Sequence, residues 1–276
     1  MLAAQRRSII LSELDRDGTV RVSDLVARMG VSDMTVRRDL QALHRQGLLQ
    51  KVHGGAMAVA EPSTAEPGFE ANSARRQPEK EVIAMQAASL VRPGSAIAVS
   101  AGTTTHAFAR HLVDIPHLTV VTNSVWVADI LHRSGPESSS VLITGGLRTP
   151  SDALVGPVAI SALSSLHVDA VFLGVHGMEE AAGFSTPNLL EAETNRAMIR
   201  SGRRLVVLAD SSKWGVVGLS SMARLSDAHV LITDTGLSAQ ASAILAERVE
   251  QLVLIDPTEP PTAGLPATDE MSTSDR

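Results

Sequence analysis

Two groups of residues in this 276-residue chain have types and spacing that could do chemistry. The first is the adjacent pair Arg37 and Arg38, followed by Gln41 and Arg45, within VSDMTVRRDLQALHRQGLLQKVHGG at positions 31–55. Arginine presents a fork of donors that matches guanine or phosphate, and glutamine matches adenine, so the pattern suits a nucleic-acid surface. The second is Ser100-Ala101-Gly102-Thr103-Thr104-Thr105, placed between a predicted strand and a predicted helix. Backbone N–H groups at a helix start, with hydroxyls beside them, can hold an anion. Spacing alone reads this turn equally well as an ordinary strand-to-helix connection with threonine caps. It is neither a Walker motif nor a dinucleotide fingerprint, because no Lys-Ser/Thr follows and the glycine spacing differs.

Other chemistries find no support. The nine histidines show no metal-ligand spacing, and His106 and His111, five apart on a predicted helix, face different directions. The chain has no cysteine, which removes disulfides and thiolate sites together. No serine sits in a Gly-x-Ser-x-Gly elbow. Glu191 and Glu193 read as acids favoured at a helix start by the helix dipole rather than as general acids. We therefore expect no metal, no cofactor and no enzymatic activity.

Both groups must be positioned by regular elements. A first helix is expected over 2–16, with Ile10 and Leu14 one turn apart and Gly18 as its stop. A short β-like segment at 19–22 follows. A second helix is expected to be capped by Ser23, to bury Leu25, Val26 and Met29, and to end at Gly30. A third, capped by Ser32 and stopped at Gly47, carries Val36, Leu40 and Leu43 as its buried stripe. At about 100° per residue the opposite face holds Met34, Arg38, Gln41 and Arg45, with Arg37 to the side. Helix, strand and glycine turn in this order describe a winged helix-turn-helix whose third helix enters the major groove. Arg38 and Gln41 are the expected base readers. Arg37, Arg45 and the wing residues Lys51 and His53 are expected on phosphates, with Ser32, Met34 and Thr35 at the DNA-facing end of the helix.

Residues 58–77 mix Pro, Ser, Thr, Glu and Gly without periodicity and read as a linker, with Phe69 placed to dock on the next domain. From 78 onward, expected strands at 96–100, 118–122, 141–144, 170–175, 205–209, 230–233 and 252–255 alternate with helices at 79–91, 103–112, 124–132, 158–166, 190–201 and 238–250. That alternation implies a mostly parallel sheet with helices on both faces, so the whole chain reads as α/β with an N-terminal winged helix-turn-helix. The expected domains are 1–57, 78–256 and a disordered tail at 257–276, which is rich in Pro, Thr, Ser and acid. With aromatics at 2%, the cores are expected to rest on Ala, Val, Leu and Ile.

Ligands in such sheets bind at the carboxyl ends of strands. Three of those ends carry small polar elements: the threonine turn, Thr122-Asn123-Ser124, and Gly145-Gly146-Leu147-Arg148. Asp210-Ser211-Ser212-Lys213 follows a later strand. Alone, Lys213 reads as a solvated surface lysine; beside an anion-ready turn, it points to a phosphorylated small ligand.

Net charge sharpens the division. The chain carries −6, yet residues 1–57 hold nine basic and six acidic side chains, a net of +3 that leaves −9 on the rest. A basic head attracts phosphate locally while an acidic body resists non-specific contact. MLAAQRRSII lacks the apolar core of a signal peptide, and no run approaches the ~18 apolar residues of a membrane span, so a soluble cytoplasmic protein is expected.

VSDMTVRRDLQAL…GLLQKVHGGA, Lys80, SAGTTT, VVTNS, ITGG, DAVFLGVHG and ADSSKWG together resemble the DeoR family of bacterial transcriptional regulators, over nearly the whole chain to about residue 256. The resemblance implies a C-terminal domain similar to ribose-5-phosphate isomerase that binds a sugar phosphate and thereby releases DNA. It implies a phosphate cradle at Gly102, Thr103, Thr104 and Thr105, with Asn123, Gly146, Arg148 and Lys213 at other pocket positions. One departure is that Ser100-Ala101 stands where many relatives place an aspartate. The expected partners are a double-stranded operator, a phosphorylated metabolite and further copies of the chain in a homodimer or homotetramer, with no membrane. An isomerase fused to a DNA-binding head is the alternative. It is weakened by Gly174-Val175-His176-Gly177, which stand where such enzymes carry an acidic pair. An activator built from the same parts is a third reading, since neither helix nor pocket encodes the sign of regulation.

Overall fold

The computed structural model describes residues 2–45, 48–52, 54–57, 64, 68–73 and 75–258. The chain divides into two compact units, Met1–Pro62 and Ser63–Arg276.

In the first unit α1 (Ala3–Asp17), β1 (Thr19–Arg21), α2 (Val22–Met29), α3 (Asp33–Arg45), β2 (Gln50–Val52) and β3 (Gly55–Met57) follow in order. The three strands form an antiparallel sheet in which β3 lies between β1 and β2. Ile10, Leu14, Val20, Leu25, Val36, Leu40, Leu43 and Leu49 close one core, so the stripe read from periodicity is the buried one. α1 and α2 end at Gly18 and Gly30, as expected. Ser23 does not cap α2. Arg21 is still extended and paired with Gly55, so the helix starts directly at Val22, whose N–H donates to Gly54 O, and Ser23 lies inside the first turn. Gly47 and His53 lie outside the described residues, as do the expected tail from 259 and most of 58–67.

The second unit begins with α4 (Phe69–Ser73) and α5 (Gln77–Ala88). Next come β4 (Ala96–Val99), α6 (Thr103–Leu112), β5 (Thr119–Thr122), α7 (Val125–Ser134), β6 (Ser140–Ile143), β7 (Leu147–Arg148), β8 (Leu154–Val155) and α8 (Pro157–Ser164). The remainder is β9 (Ala170–Gly174), β10 (Gly177–Glu179), β11 (Gly183–Thr186), α9 (Leu189–Ser201), β12 (Leu205–Leu208), β13 (Ser220–Ala223), β14 (Val230–Asp234), α10 (Ala239–Arg248) and β15 (Leu252–Ile255). Seven strands make one parallel sheet in the order β15-β14-β12-β9-β4-β5-β6. From β4 the chain runs outward through β5 and β6, then crosses back to β9 and continues through β12 to the other edge. The order therefore reverses between β4 and β9, where a crevice opens at the strands' carboxyl ends.

Side chains alternating along the strands feed two cores. Phe172 packs on one face with Ile83, Phe108, Leu112 and Ile232, while Val171 and Leu173 pack on the other with Phe184, Met198 and Val207. Phenylalanine takes a larger part than the composition suggested, since Phe108 and Phe172 pack at 4.5 Å between ring centroids inside the first core. The ribbon β7-β8 and the antiparallel sheet β10-β11-β13 were not expected. Each is made of strands of two to four residues that carry no legible alternation. Among the described residues no helix is long and apolar enough to cross a membrane, and no cluster of side chains is placed to hold a metal ion.

Candidate functional site

On the first unit, Ser32 caps α3: its Oγ accepts from Thr35 N at 3.3 Å and lies 2.9 Å from the Thr35 hydroxyl. Asp39 is buried and takes Arg6 Nε at 2.7 Å and Arg7 Nε at 3.2 Å, and Glu13 takes Arg28 at 2.9 Å. These three arginines pair with acids of the unit itself, whereas α3 and the wing carry Arg37, Arg38, Arg45 and Lys51. There Arg37 is paired with Asp33 one turn earlier, Arg45 Nε donates to Gln41 O, and Lys51 Nζ donates to Gln41 Oε1 at 2.7 Å. Arg38 is exposed and has no partner among the described residues. Met34, 69% exposed, shares this outer surface. The amide oxygen of Gln41, expected on a base edge, thus already accepts from the wing.

In the second unit a cavity lies at the reversal point. Gly102, Thr103 and Thr104 after β4, Gly174, Val175 and His176 at the end of β9, and Ser151, Glu191, Asn195 and Lys213 line it. Its enclosed volume is about 90 Å³, and it opens to solvent. Gly102 adopts φ +149°, and a Cβ there would sit 3.1 Å from Thr105 Oγ1. A glycine makes this sharp entry into α6 without strain. No side chain caps the start of α6, so its first N–H groups remain available for an anion. The loop after β12 is fixed by two buried carboxylates. Asp210 accepts from Ser212 N, and Asp234 accepts from Ser211 N and Oγ and from Gly236 N. Lys213 projects from this loop into the cavity lining, and its ammonium has no partner among the described residues.

Four of the eight expected effector residues line this cavity (Gly102, Thr103, Thr104, Lys213), and four do not. The Thr105 hydroxyl turns back to donate to Gly102 O at 3.0 Å. Asn123 is buried as a staple between strand ends: its Oδ1 accepts from Ala101 N at 2.8 Å and its Nδ2 donates to Leu154 O at 3.2 Å. Gly146, at φ +120°, packs against β8, where a Cβ would fall 2.5 Å from Val155 O. The Arg148 side chain is 60% exposed and donates to Asp152 Oδ1 at 2.7 Å. Asp152 also accepts from Trp126 Nε1, and Arg148 first, then Trp126, hold its carboxyl below the usual range. For Gly146 and Arg148 strand order contributes, although Ser151, between β7 and β8, does reach the lining. β6, which leads into Gly146 and Arg148, is two strands from β4, about 10 Å away.

Sequence reasoning missed Asn72 and His176 as lining residues and set Glu191 aside as a helix-start acid. Phe69 stacks on Trp126 at 5.5 Å and meets His106 edge-on at 5.3 Å. Burial holds the His106 imidazole below its ordinary value, helped by Arg110. The buried Lys80 ammonium donates to the carbonyls of Asn72 and Arg75 and so fixes α4 to α5. A lone phenylalanine in a Pro- and Glu-rich stretch was the available signal for this docking.

A family model described as the DeoR-like helix-turn-helix domain matches residues 6–61, and one described as the DeoR C terminal sensor domain matches 75–235. The chain is 36% identical over 249 residues to an uncharacterized HTH-type transcriptional regulator of Escherichia coli strain K12, covering 90% of this chain and 96% of that one. It is 34% identical to the HTH-type transcriptional regulator GlpR of Haloferax volcanii, covering 87% and 93%. To the lactose phosphotransferase system repressor of Streptococcus mutans it is 33% identical, covering 85% and 93%. Among solved structures it is similar to ribose 5-phosphate isomerase A of Methanocaldococcus jannaschii, at 18% identity and a TM-score of 0.36. That match covers 49% of this chain and 53% of the isomerase, and a likeness of this degree carries no inference about activity.

Proposed function

The chain belongs to the DeoR family of transcriptional regulators, and on that premise we propose that it represses a carbohydrate-use operon and is released from DNA by a phosphorylated sugar. The observation that carries the effector reading is the meeting, in one cavity, of the uncapped α6 start with Lys213, which has no partner among the described residues. Both stabilise an anion, one through aligned backbone dipoles and the other through a full charge. A transferable phosphate handle is common to the sugar esters that carbohydrate pathways produce, and the name of the Streptococcus mutans relative supports the repressing sign.

Regulation is then a linkage. The effector binds one arrangement of the protein better, and that arrangement holds paired recognition helices at the wrong separation for two half-sites. A homodimer or homotetramer acting in the cytoplasm fits this scheme. An isomerase reading is disfavoured, because Gly174, Val175 and His176 occupy the end of β9, where such chemistry would need an acidic pair.

The test uses the full chain and a duplex carrying its own promoter. Wild-type protein should shift the duplex at moderate salt and release it when phosphorylated sugars are added. The double variant Thr104→Ala with Lys213→Ala should bind the duplex equally well and ignore those sugars. Normal release by the double variant would remove the cavity from the mechanism, and indifference of the wild type to the duplex would remove the function altogether.

A further inference from the structure

The cavity at the reversal point is smaller than the ligand proposed for it. Its enclosed volume is about 90 Å³, whereas pockets that take small molecules run to about 300–1,000 Å³. A sugar phosphate can enter only if part of the lining moves. Gly102–Thr104 and Gly174–His176 continue β4 and β9 at the centre of the sheet, and Glu191 and Asn195 stand on α9. Lys213 sits in a loop fixed by Asp210 and Asp234. These segments are continuous with elements that carry side chains into a hydrophobic core. α4, which lines the cavity through Phe69 and Asn72, is not: it has five residues, and none of its described side chains belongs to either core. The Phe69 ring, on Trp126 and His106, and the Lys80 ammonium, on the carbonyls of Asn72 and Arg75, hold it in place. Short segments with few buried apolar contacts open at the lowest cost.

Room for α4 to move lies alongside. A second cavity of about 620 Å³, open to solvent, adjoins the first, with Phe69 and Thr103 in the lining of both and Lys80, Glu81, His106 and Arg110 beyond. α4 is also the first helix of the second unit, next in the chain after the first unit ends at Pro62. We propose that α4 is a latch on the effector cavity: a ligand of sugar-phosphate size lifts Phe69 off Trp126, and the shift of α4 passes along the chain to the DNA-binding unit. Seated α4 belongs to the operator-binding state and lifted α4 to the released one. Effector and α4 then compete for one space, which supplies the difference in affinity that any ligand-driven change requires. This inference rests on the reading of the cavity as the effector site given above.

Tryptophan emission of the full chain tests it, because the chain holds two tryptophans and one of them is the partner of Phe69. In the Trp214→Phe protein only Trp126 emits. A panel of pentose and hexose monophosphates serves as probe, with inorganic phosphate as the anion without a sugar. A sugar monophosphate that binds should move Trp126 emission to longer wavelength and raise its quenching by acrylamide, whereas inorganic phosphate should leave both unchanged. Phe69→Ala removes the two ring contacts that seat α4, so it should bind the same sugar phosphates about fivefold or more tightly than wild type. Without any sugar it should hold a duplex carrying its own promoter about fivefold or more weakly, by the same shift of population. A phenylalanine serving only the fold would not tighten sugar binding. Should one variant not fold, the other decides alone. Unchanged Trp126 emission at saturating sugar phosphate, an equal change with inorganic phosphate, sugar binding by Phe69→Ala no tighter than wild type, or wild-type affinity of that variant for the duplex overturns the proposal. Failure of every phosphate to bind either protein is a different result: it removes the phosphate-anchored reading of the cavity, and this inference with it.

Discussion

Four cations flank the outer face of α3 and the wing, and their partners in the free protein rank them. Arg37 is paired with Asp33, Arg45 with Gln41 O and Lys51 with Gln41 Oε1, whereas Arg38 is exposed and unpartnered among the described residues. A side chain that gives up no internal bond keeps more of the energy of a new contact. Arg38→Ala should therefore weaken operator binding by about 1–3 kcal/mol and relax specificity at one base pair, with effector affinity unchanged. Arg37→Ala should cost less. Gel-shift titrations against the operator and a mutated operator measure both effects; an Arg38→Ala protein with wild-type affinity would mean that another face of α3 enters the groove. The periodicity of Val36, Leu40 and Leu43 was enough to find this face, because a helix fixes its own angular geometry. The occupation of Gln41 by Lys51 was not legible, since those residues are ten apart and meet only through the wing.

At the scale of elements, Asn123, Gly146 and Arg148 belong to the scaffold of the strand ends rather than to the cavity wall. Gly146 is held at φ +120° with backbone of β8 where a side chain would go. Gly146→Ala should lower unfolding stability by about 1–3 kcal/mol, through positive φ and a clash with Val155 O that no rotamer relieves. Arg148→Ala, which removes only a largely exposed ion pair, should cost less than about 1 kcal/mol. Chemical denaturation of the two variants compares them, and equal effects would contradict the scaffold role. The long alternation of strands and helices was readable because each element has its own period. The ribbon β7-β8 and the sheet β10-β11-β13 were not, since strands of two to four residues have no period and exist only through their partners. α4 was hidden likewise in a segment whose composition reads as linker, and its docking depends on Trp126, His106 and Lys80 far along the chain.

For the whole molecule, the net +3 of residues 1–57 beside −9 on the rest makes DNA attraction local and sensitive to salt. If effector and operator are linked through one equilibrium, their influence is reciprocal. Saturating operator should weaken effector binding by the same factor by which saturating effector weakens operator binding, about 5- to 150-fold for a coupling of 1–3 kcal/mol. Calorimetry with and without duplex, set against gel shifts with and without effector, gives the two factors. Unequal factors would exclude a single coupled equilibrium between the sites.

What the amino-acid order determined alone was local: a helix with one buried stripe and one exposed basic face, a glycine-threonine turn without a side-chain cap, and an alternation that forces a parallel sheet. Each is decided by residues within a few positions of one another. Only the tertiary structure decided which strand ends meet. The reversal of order between β4 and β9 gathers the α6 start with His176, Glu191, Asn195 and Lys213, while β5 and β6 carry Asn123, Gly146 and Arg148 to the far side of β4. Neighbourhood in a sheet follows from how whole faces bury their apolar surface, and no short stretch of sequence carries that information.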